Sequence, residues 1–449
     1  MTTIADLKQR VADAIDDRQD EIIAIGETIM GRPELGFKEF ETAALVAQTF
    51  AELELEHRTG LAITGVSARI DTGRPGPTLA LIGELDALTV PGHPREDPAT
   101  HAAHACGHNA QIAGLMGAAA ALSDPRVQRE LSGTIVLMAV PAEEYVEVEY
   151  RYGLQLAGEL EFLGGKPELI ARGEFDDIDL AMMIHTHAQP DQNGMAAVTA
   201  SNNGCVVKQI RYIGLASHAG AAPERGVNAL YAAQLGMAGI NALRETFRDE
   251  DAVRVHPIIT HGGDLVNVIP ADVRLETYVR GKTTDVIDAA SATVDRALRA
   301  GAMALGADVE IRSLPGYLPL VNNGAMAELF LANQRDVHGD DGIKRLGHRT
   351  GSTDMGDVSH IMPALHPSMA GATGTNHATD WDIVDSQMAY VEPAKALAWM
   401  AVDLLGEDAG AARRIVDDFE PLMTRDEYLA YQRGVMREER WAYDSSPGT

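Results

Sequence analysis

The sequence predicts an α/β protein: a mostly parallel sheet, interrupted by a smaller α+β unit. Three observations predict it. Apolar runs at residues 78–83, 134–140 and 180–184 alternate with helical stretches, the pattern of parallel strands joined by crossovers. From about Gly204 the pattern becomes strand, helix, strand, strand, helix, strand, the order of a small sandwich with one open sheet face. A chain of 449 residues, 45% hydrophobic with 43 glycines, exceeds one simple core, so two or more domains are expected.

In order, residues 4–30 read as helical, with Ile15, Ile22, Ile23 and Ile29 among charges. Pro33 and Gly36 mark a loop, and residues 42–53 form a second amphipathic helix. The run at 78–83 is a buried strand ending in Glu84-Leu85-Asp86. A loop rich in Pro and His leads to His104-Ala105-Cys106-Gly107-His108-Asn109, and 110–122 is a small-residue helix. The strand at 134–140 ends in Pro141-Ala142-Glu143-Glu144, and that at 180–184 in His185-Thr186-His187. Three buried strands thus run into ionisable residues at their carboxyl ends, where open parallel sheets place their sites.

The inserted unit follows. Residues 206–213 alternate like a half-buried strand, Ser217-His218-Ala219 comes next, and 228–243 is a helix. Strands at 255–259 and 273–279 flank Asn267-Val268-Ile269-Pro270; a helix at 287–305 and a strand at 309–313 complete it. Residues 1–202 and 320–449 are therefore read as one discontinuous domain and 203–319 as the insertion. Ser352-Thr353-Asp354-Met355-Gly356-Asp357 is a polar turn with helix-start chemistry. Residues 366–370 are a short strand, 371–377 a glycine-rich loop ending in His377, and 392–405 a helix. The tail beyond Gly406 is charged and helical in tendency, and the sequence assigns it no role.

Lys plus Arg is 37 against 66 for Asp plus Glu, a formal charge of −29. Nucleic acid and anionic membrane surfaces need basic patches, so neither is an expected partner. Cys106 and Cys205 are the two cysteines, so no disulfide framework and a reducing compartment are expected. The first residues lack a basic segment followed by an apolar one, so no signal peptide is expected; no apolar run approaches membrane-spanning length. The expected compartment is the cytoplasm.

Cys106 and His108 lie two residues apart, a spacing that cannot share a helix face but can point one way in an extended or looped segment. Gly107 lets the backbone bend between them. Thiolate and imidazole together suit zinc and its neighbours.

His-Ala-Cys-Gly-His-Asn at 104–109, Pro-Ala-Glu-Glu at 141–144, Met-Met-Ile-His at 182–185, Ser-His-Ala at 217–219, Asn-Val-Ile-Pro at 267–270, Ser-Thr-Asp-Met-Gly at 352–356 and His377 occur in this order. The order resembles the aminoacylase/carboxypeptidase family of di-metal amidohydrolases, in the metallopeptidase clan of glutamate carboxypeptidase. The branch is that of aminobenzoyl-glutamate hydrolase and the plant auxin-conjugate hydrolases, and the resemblance runs from the loop at 33–37 to His377. It implies a zinc-peptidase-like catalytic domain with two divalent ions per subunit (Mn, Zn or Co) and a ferredoxin-like lid that pairs in a homodimer. By motif position Cys106, His108, Glu144, His185 and His377 resemble the metal ligands, and Glu143 resembles the general base. His218 resembles the lid histidine that polarises the scissile carbonyl; Asn267 and Arg280 fall where a substrate carboxylate is held; Asp86 resembles an acid that steadies the cluster. One departure matters: the branch usually follows its Glu-Glu with glycines, and here Tyr145-Val146-Glu147-Val148-Glu149-Tyr150-Arg151 stands instead, which should reshape the pocket.

Plainer readings stand beside these. Glu143 and Glu144 fit a solvated pair, His218 an exposed loop histidine, and Arg280 a partner for acids on its own strand. His187 competes with His185, which is favoured by its position directly after the strand. His101 and His104 read as supporting or solvent groups, and Cys205 as packing. The expected function is metal-dependent hydrolysis of a C–N bond in a small carboxylate-bearing molecule, the amide of an N-acyl or N-aroyl amino acid or a dipeptide-like conjugate. Two alternatives are hydrolytic deamination of an amino-substituted aromatic acid at the same metals, and a non-catalytic metal-binding scaffold. The scaffold is disfavoured by Glu143, which no structural need explains.

Overall fold

The apolar runs that end in acids and histidines form the middle of a six-stranded sheet. A computed structural model describes residues 2–188 and 190–443. The sheet order is His57–Leu61, Gly65–Asp71, Thr134–Val140, Thr78–Glu84, Leu180–Met182, Ala364–Leu365. The last four are mutually parallel, and the first two run antiparallel to their neighbours. Leu79, Ala80, Leu81 and Ile82 are all buried, as are Ile135 to Met138. Burial on both faces explains why these strands read as continuous apolar runs.

The His108–Leu122 helix is buried on nearly every side. Its small residues allow close approach: a Cβ at Gly117 would press on Ile22 and Ala394, which lie in the Gln19–Met30 and Glu392–Leu405 helices. The N-terminal stretch expected as one helix is two, Ile4–Asp16 and Gln19–Met30, because the chain turns at Asp17-Arg18. Ser368–Met369 pairs parallel with His185–Thr186, fixing His185 beyond the sheet's carboxyl edge. These elements belong to one compact unit, made of residues up to Ser201 with Val321–His348 and Asp357–Arg425.

The second unit comprises Asn202–Leu320, Arg349–Gly356 and the residues from Asp426. Its sheet is antiparallel: Arg254–Val255, Asp272–Gly281, Gly204–Ile213, Asp308–Pro315 and Arg437–Trp441 in order, with Ile258–His261 also on Asp272–Gly281. The helices Ala229–Ala242 and Thr284–Leu305 pack on one face over Ile210, Tyr212, Val273, Leu275 and Ile311. The expected strand at 255–259 is broken at His256-Pro257, where proline cannot donate to the ladder. The tail, which the sequence reading kept with the larger domain, ends in a strand that pairs with Asp308–Pro315 of the smaller sheet. Among the described residues no helix is long and apolar enough to cross a membrane.

Candidate metal centre

Beyond the carboxyl edge of the larger sheet, three overlapping groups place their donor atoms within 4.8 Å of one another. They are Cys106, His108 and His185; Cys106, Glu144 and His377; and Glu84, His108 and Glu143. The fold builds this gathering locally. Gly107 sits at φ 91°, a left-handed turn that caps the His108–Leu122 helix and brings Cys106 and His108 to one side. The His377 amide donates to the Ala105 carbonyl at 2.9 Å, tying the late loop to the cysteine loop. Asp86, fully buried, accepts the Glu144 amide at 2.8 Å and lies 3.2 Å from Nδ1 of His108.

Hydrogen bonds fix the imidazoles for ligation. His108 Nδ1 donates to the Asp86 carbonyl at 2.8 Å and His185 Nδ1 to the Thr186 carbonyl at 2.7 Å, so each presents Nε2 to the cluster. His185 Nε2 lies 3.4 Å from Cys106 Sγ, and His377 Nε2 lies 3.2 Å from Glu144 Oε1. Among the described residues His108 Nε2 is buried without a hydrogen-bond partner. Nε2 of His108 also faces Glu84 Oε2 at 3.1 Å, two acceptors that need a cation or a proton between them. Thiolate, imidazoles and carboxylates left in this way fit divalent transition-metal ions.

The charges agree. Burial and the Glu144 carboxylate push the Cys106 thiol up, but the His185 and His108 imidazoles beside it outweigh them and hold it at about 6. Burial likewise opposes ionisation of Glu144, and His377 prevails, bringing it to about 2. Glu144 in turn lifts His377 to about 11.

Of the two candidate histidines after the third strand, His185 faces the cluster. His187 has both ring nitrogens engaged, with Ser368 Oγ at 2.8 Å and the Gly194 carbonyl at 2.9 Å. His101 is exposed beside Glu96. His104 is no solvent group: it is buried with neither ring nitrogen partnered among the described residues, and burial brings its pKa to about 3, so it is neutral. Cys205 is buried in the Gly204–Ile213 strand.

Four residues at the centre were not singled out from the sequence: Glu84, Lys166, Gln111 and His366. Glu84 is held by Lys166 at 2.6 Å and Gln111 at 2.8 Å, all buried. His366 packs on His185 with ring centroids 5.8 Å apart. Glu84 had a signal, sharing a strand end with Asp86; a lone lysine in a helical stretch had none.

In the smaller unit His218 is exposed, and its Nδ1 accepts the amides of Gly220 and Ala221, both at 3.1 Å, so its proton sits on Nε2. The Ala219 amide donates to the Asn267 carbonyl at 2.9 Å, joining these two loops. Arg280 does not pair with an acid of its own strand. It lies opposite Arg254 across the antiparallel ladder, with its guanidinium 5.4 Å from the Tyr278 ring centroid. Among the described residues neither arginine forms an ion pair, and like charges facing one another across a sheet are destabilising alone. Both line a recess of about 440 Å³ with His256, Tyr278 and Thr350.

Residues 80–392 match the model of peptidase family M20/M25/M40. The chain is 29% identical over 430 residues to the Xaa-Arg dipeptidase of Mus musculus, covering 90% of each chain. It is 27% identical over 406 residues to IAA-amino acid hydrolase ILR1-like 2 of Arabidopsis thaliana, covering 87% of this chain and 86% of that one. The fold is similar to the crystal structure of an aminobenzoyl-glutamate utilization protein from Klebsiella pneumoniae, with a TM-score of 0.66 and 20% identity over 88% of this chain and 98% of that one. The ordered motifs, the sheet and the match over most of its length place this chain in peptidase family M20/M25/M40, as a hydrolase of that family.

Proposed function

We propose that the protein hydrolyses the amide of an N-acyl or N-aroyl amino acid or a dipeptide-like conjugate. The observation that carries this reading is Glu143, a buried carboxylate 3.8 Å from Nε2 of His108 and directly before Glu144. Cys106, His108, Glu144, His185 and His377 would hold two divalent ions, with zinc, manganese and cobalt all suited to the donor set. Bound there, such ions acidify water and polarise a carbonyl.

The protein's side chains do the rest. Glu143 accepts a proton from the attacking water at its carboxylate and delivers it to the leaving nitrogen. Asp86 holds His108 and the Glu144 peptide in place for that transfer. His218, with its proton on Nε2, donates to the oxygen on which charge develops, a contribution of about 3 kcal/mol for one such donor. Arg280, with Arg254 beside it in the recess, takes the substrate's carboxylate, for which a charge-assisted guanidinium bond is suited, and Asn267 on the loop joined to that of His218 assists it. The working form is a cytoplasmic homodimer joined through the smaller unit.

The names of the relatives support the bond type: a dipeptidase, an amino-acid-conjugate hydrolase and an aminobenzoyl-glutamate protein each concern an acyl group joined to an amino acid. The test is a screen of amide conjugates and amino-aromatic acids, with separate detection of amino acid and ammonia. Release of a free amino acid is expected. Ammonia without an amino acid would make the protein a deaminase, and no turnover of either class by metal-loaded protein would sink the catalytic reading.

A further inference from the structure

The segment that departs from the related branch, following Glu143-Glu144, forms the Val148–Leu156 helix and buries Arg151 completely. We propose that Arg151 is a positioning residue for Glu143, an inference that rests on the reading of Glu143 as the general base.

The loop between strand and helix is held in an unfavourable shape. Ala142 sits at φ 56°, a left-handed conformation that a residue with a side chain rarely adopts. Such strain persists where the surroundings over-determine it. Here they do. The Ala142 amide donates to Glu39 Oε1 at 2.8 Å, and Glu39 is fully buried, its other oxygen accepting the Thr64 hydroxyl at 2.6 Å. The Glu144 amide donates to Asp86 at 2.8 Å. The guanidinium of Arg151 donates to the Ala142 carbonyl at 3.1 Å, to the Glu144 carbonyl, and to the Leu163 carbonyl at 2.8 Å. The residues on both sides of Glu143 are therefore anchored, each through its amide and its carbonyl.

The charge of Arg151 has no carboxylate to meet: among the described residues it forms no ion pair. It is surrounded instead by three carbonyls and by the rings of Phe37 and Tyr145, whose centroids lie 5.3 and 5.7 Å from it. An arginine buried without an anion is an expensive way to fill space, since burying a charge costs several kcal/mol before its hydrogen bonds are counted. A planar fork reaching two peptides on either side of one residue is a geometry that lysine's single ammonium lacks. Gly36 completes the enclosure, because a Cβ there would strike both the guanidinium and Ala142.

The experiment compares metal-loaded wild type with Arg151→Lys, Arg151→Ala and, as a control, Leu156→Ala, which alters an exposed side chain of the same helix. Three quantities are read: metal per chain, kcat and KM, and amide hydrogen exchange of the peptide covering 141–146. Arg151→Lys should keep its metal and a KM within about threefold, lose about 10²-fold in kcat as expected of a misplaced catalytic group, and exchange faster at 141–146. Added guanidinium ion should restore part of the kcat of Arg151→Ala if that variant folds; Arg151→Lys decides if it does not. Wild-type kcat in Arg151→Lys, a kcat loss that merely follows metal loss, or unchanged exchange at 141–146 would each overturn the proposal. If the wild type turns over no amide conjugate, the functional reading fails, and exchange at 141–146 still decides whether Arg151 anchors the loop.

Discussion

At the scale of single residues, the two adjacent glutamates should separate by experiment. Glu144 sits against His377 and shares a donor group with Cys106, while Glu143 faces His108. Glu143→Gln should keep its metal and lose about two to four orders of magnitude in kcat. Glu144→Gln should lose metal, read by elemental analysis of protein purified without chelator; the opposite pattern would exchange the two roles. Cys106→Ala should also weaken retention, because the thiolate supplies charge as well as a bond. A different signature belongs to Glu39. Burial, then the nearby Asp86 charge, push its carboxyl up to about 7. Between the usual carboxylate range and 7, the folded chain keeps a proton that the unfolded chain has released. Its contribution to stability is therefore complete below that window and falls as pH rises through it. Glu39→Gln removes the titration, so its melting temperature relative to wild type should rise from pH 5 to pH 8. A difference that stays constant over that range would show that Glu39 does not titrate there.

At the scale of elements, the sequence made the central strands and their carboxyl ends legible, because burial on both faces leaves an uninterrupted apolar run that stops where polar chemistry begins. The strands His57–Leu61 and Ile343–Arg349 offered no such run, since most of their residues are exposed or half-exposed. The tail strand Arg437–Trp441 carries four charged residues and reads as helix or coil until its partner is known. Buried charges were invisible for a related reason: Lys166 and Lys208 look like surface residues until their partners arrive from distant segments, and Arg151 until the loop before it folds back onto its guanidinium. Lys208 shows the principle in the smaller unit. Its ammonium lies 2.7 Å from Asp295 and 2.9 Å from the Ser313 hydroxyl, all buried, and Arg437 of the tail reaches Asp295 at 3.0 Å. Removing one member of a buried pair costs about 3–5 kcal/mol, because the other charge is stranded. Asp295 has a second cation and, among the described residues, Lys208 has no second anion within ion-pair distance. Asp295→Leu should therefore destabilise the smaller unit more than Lys208→Met, and Lys208→Met with Asp295→Leu should recover much of the single-variant loss. Urea unfolding of the three variants checks this, and equal losses in the two single variants would refute the asymmetry.

At the scale of the whole molecule, the smaller unit carries an uncovered surface. Among the described residues the Ile258–His261 strand pairs on one side alone, with Asp272–Gly281, and Ile258 and Ile259 are exposed on it. Leu265, Val266 and Val268 follow in the loop, also exposed, and Tyr231 and Leu235 are exposed on the Ala229–Ala242 helix. An open strand edge with apolar side chains invites another strand, and a two-fold axis lets one such edge meet its copy. The homodimer we propose would pair through this surface. In a closed two-fold dimer every residue appears twice, so a site can draw its catalytic groups from both chains. His218 and Asn267 lie in the inserted unit, on loops joined to one another, while Glu143 and the proposed ligands lie in the other unit. Our expectation is that His218 serves the metal site of the neighbouring chain. His218→Ala and Glu143→Ala would each be nearly inactive alone. Dissociated together and reassembled, they would form heterodimers in which one site keeps both residues, recovering up to about half of the wild-type activity per heterodimer if the sites act independently. Subunit exchange is verified by mass, and activity is assayed on the mixture. Verified heterodimers without recovered activity would show that His218 acts within its own chain or has no catalytic part.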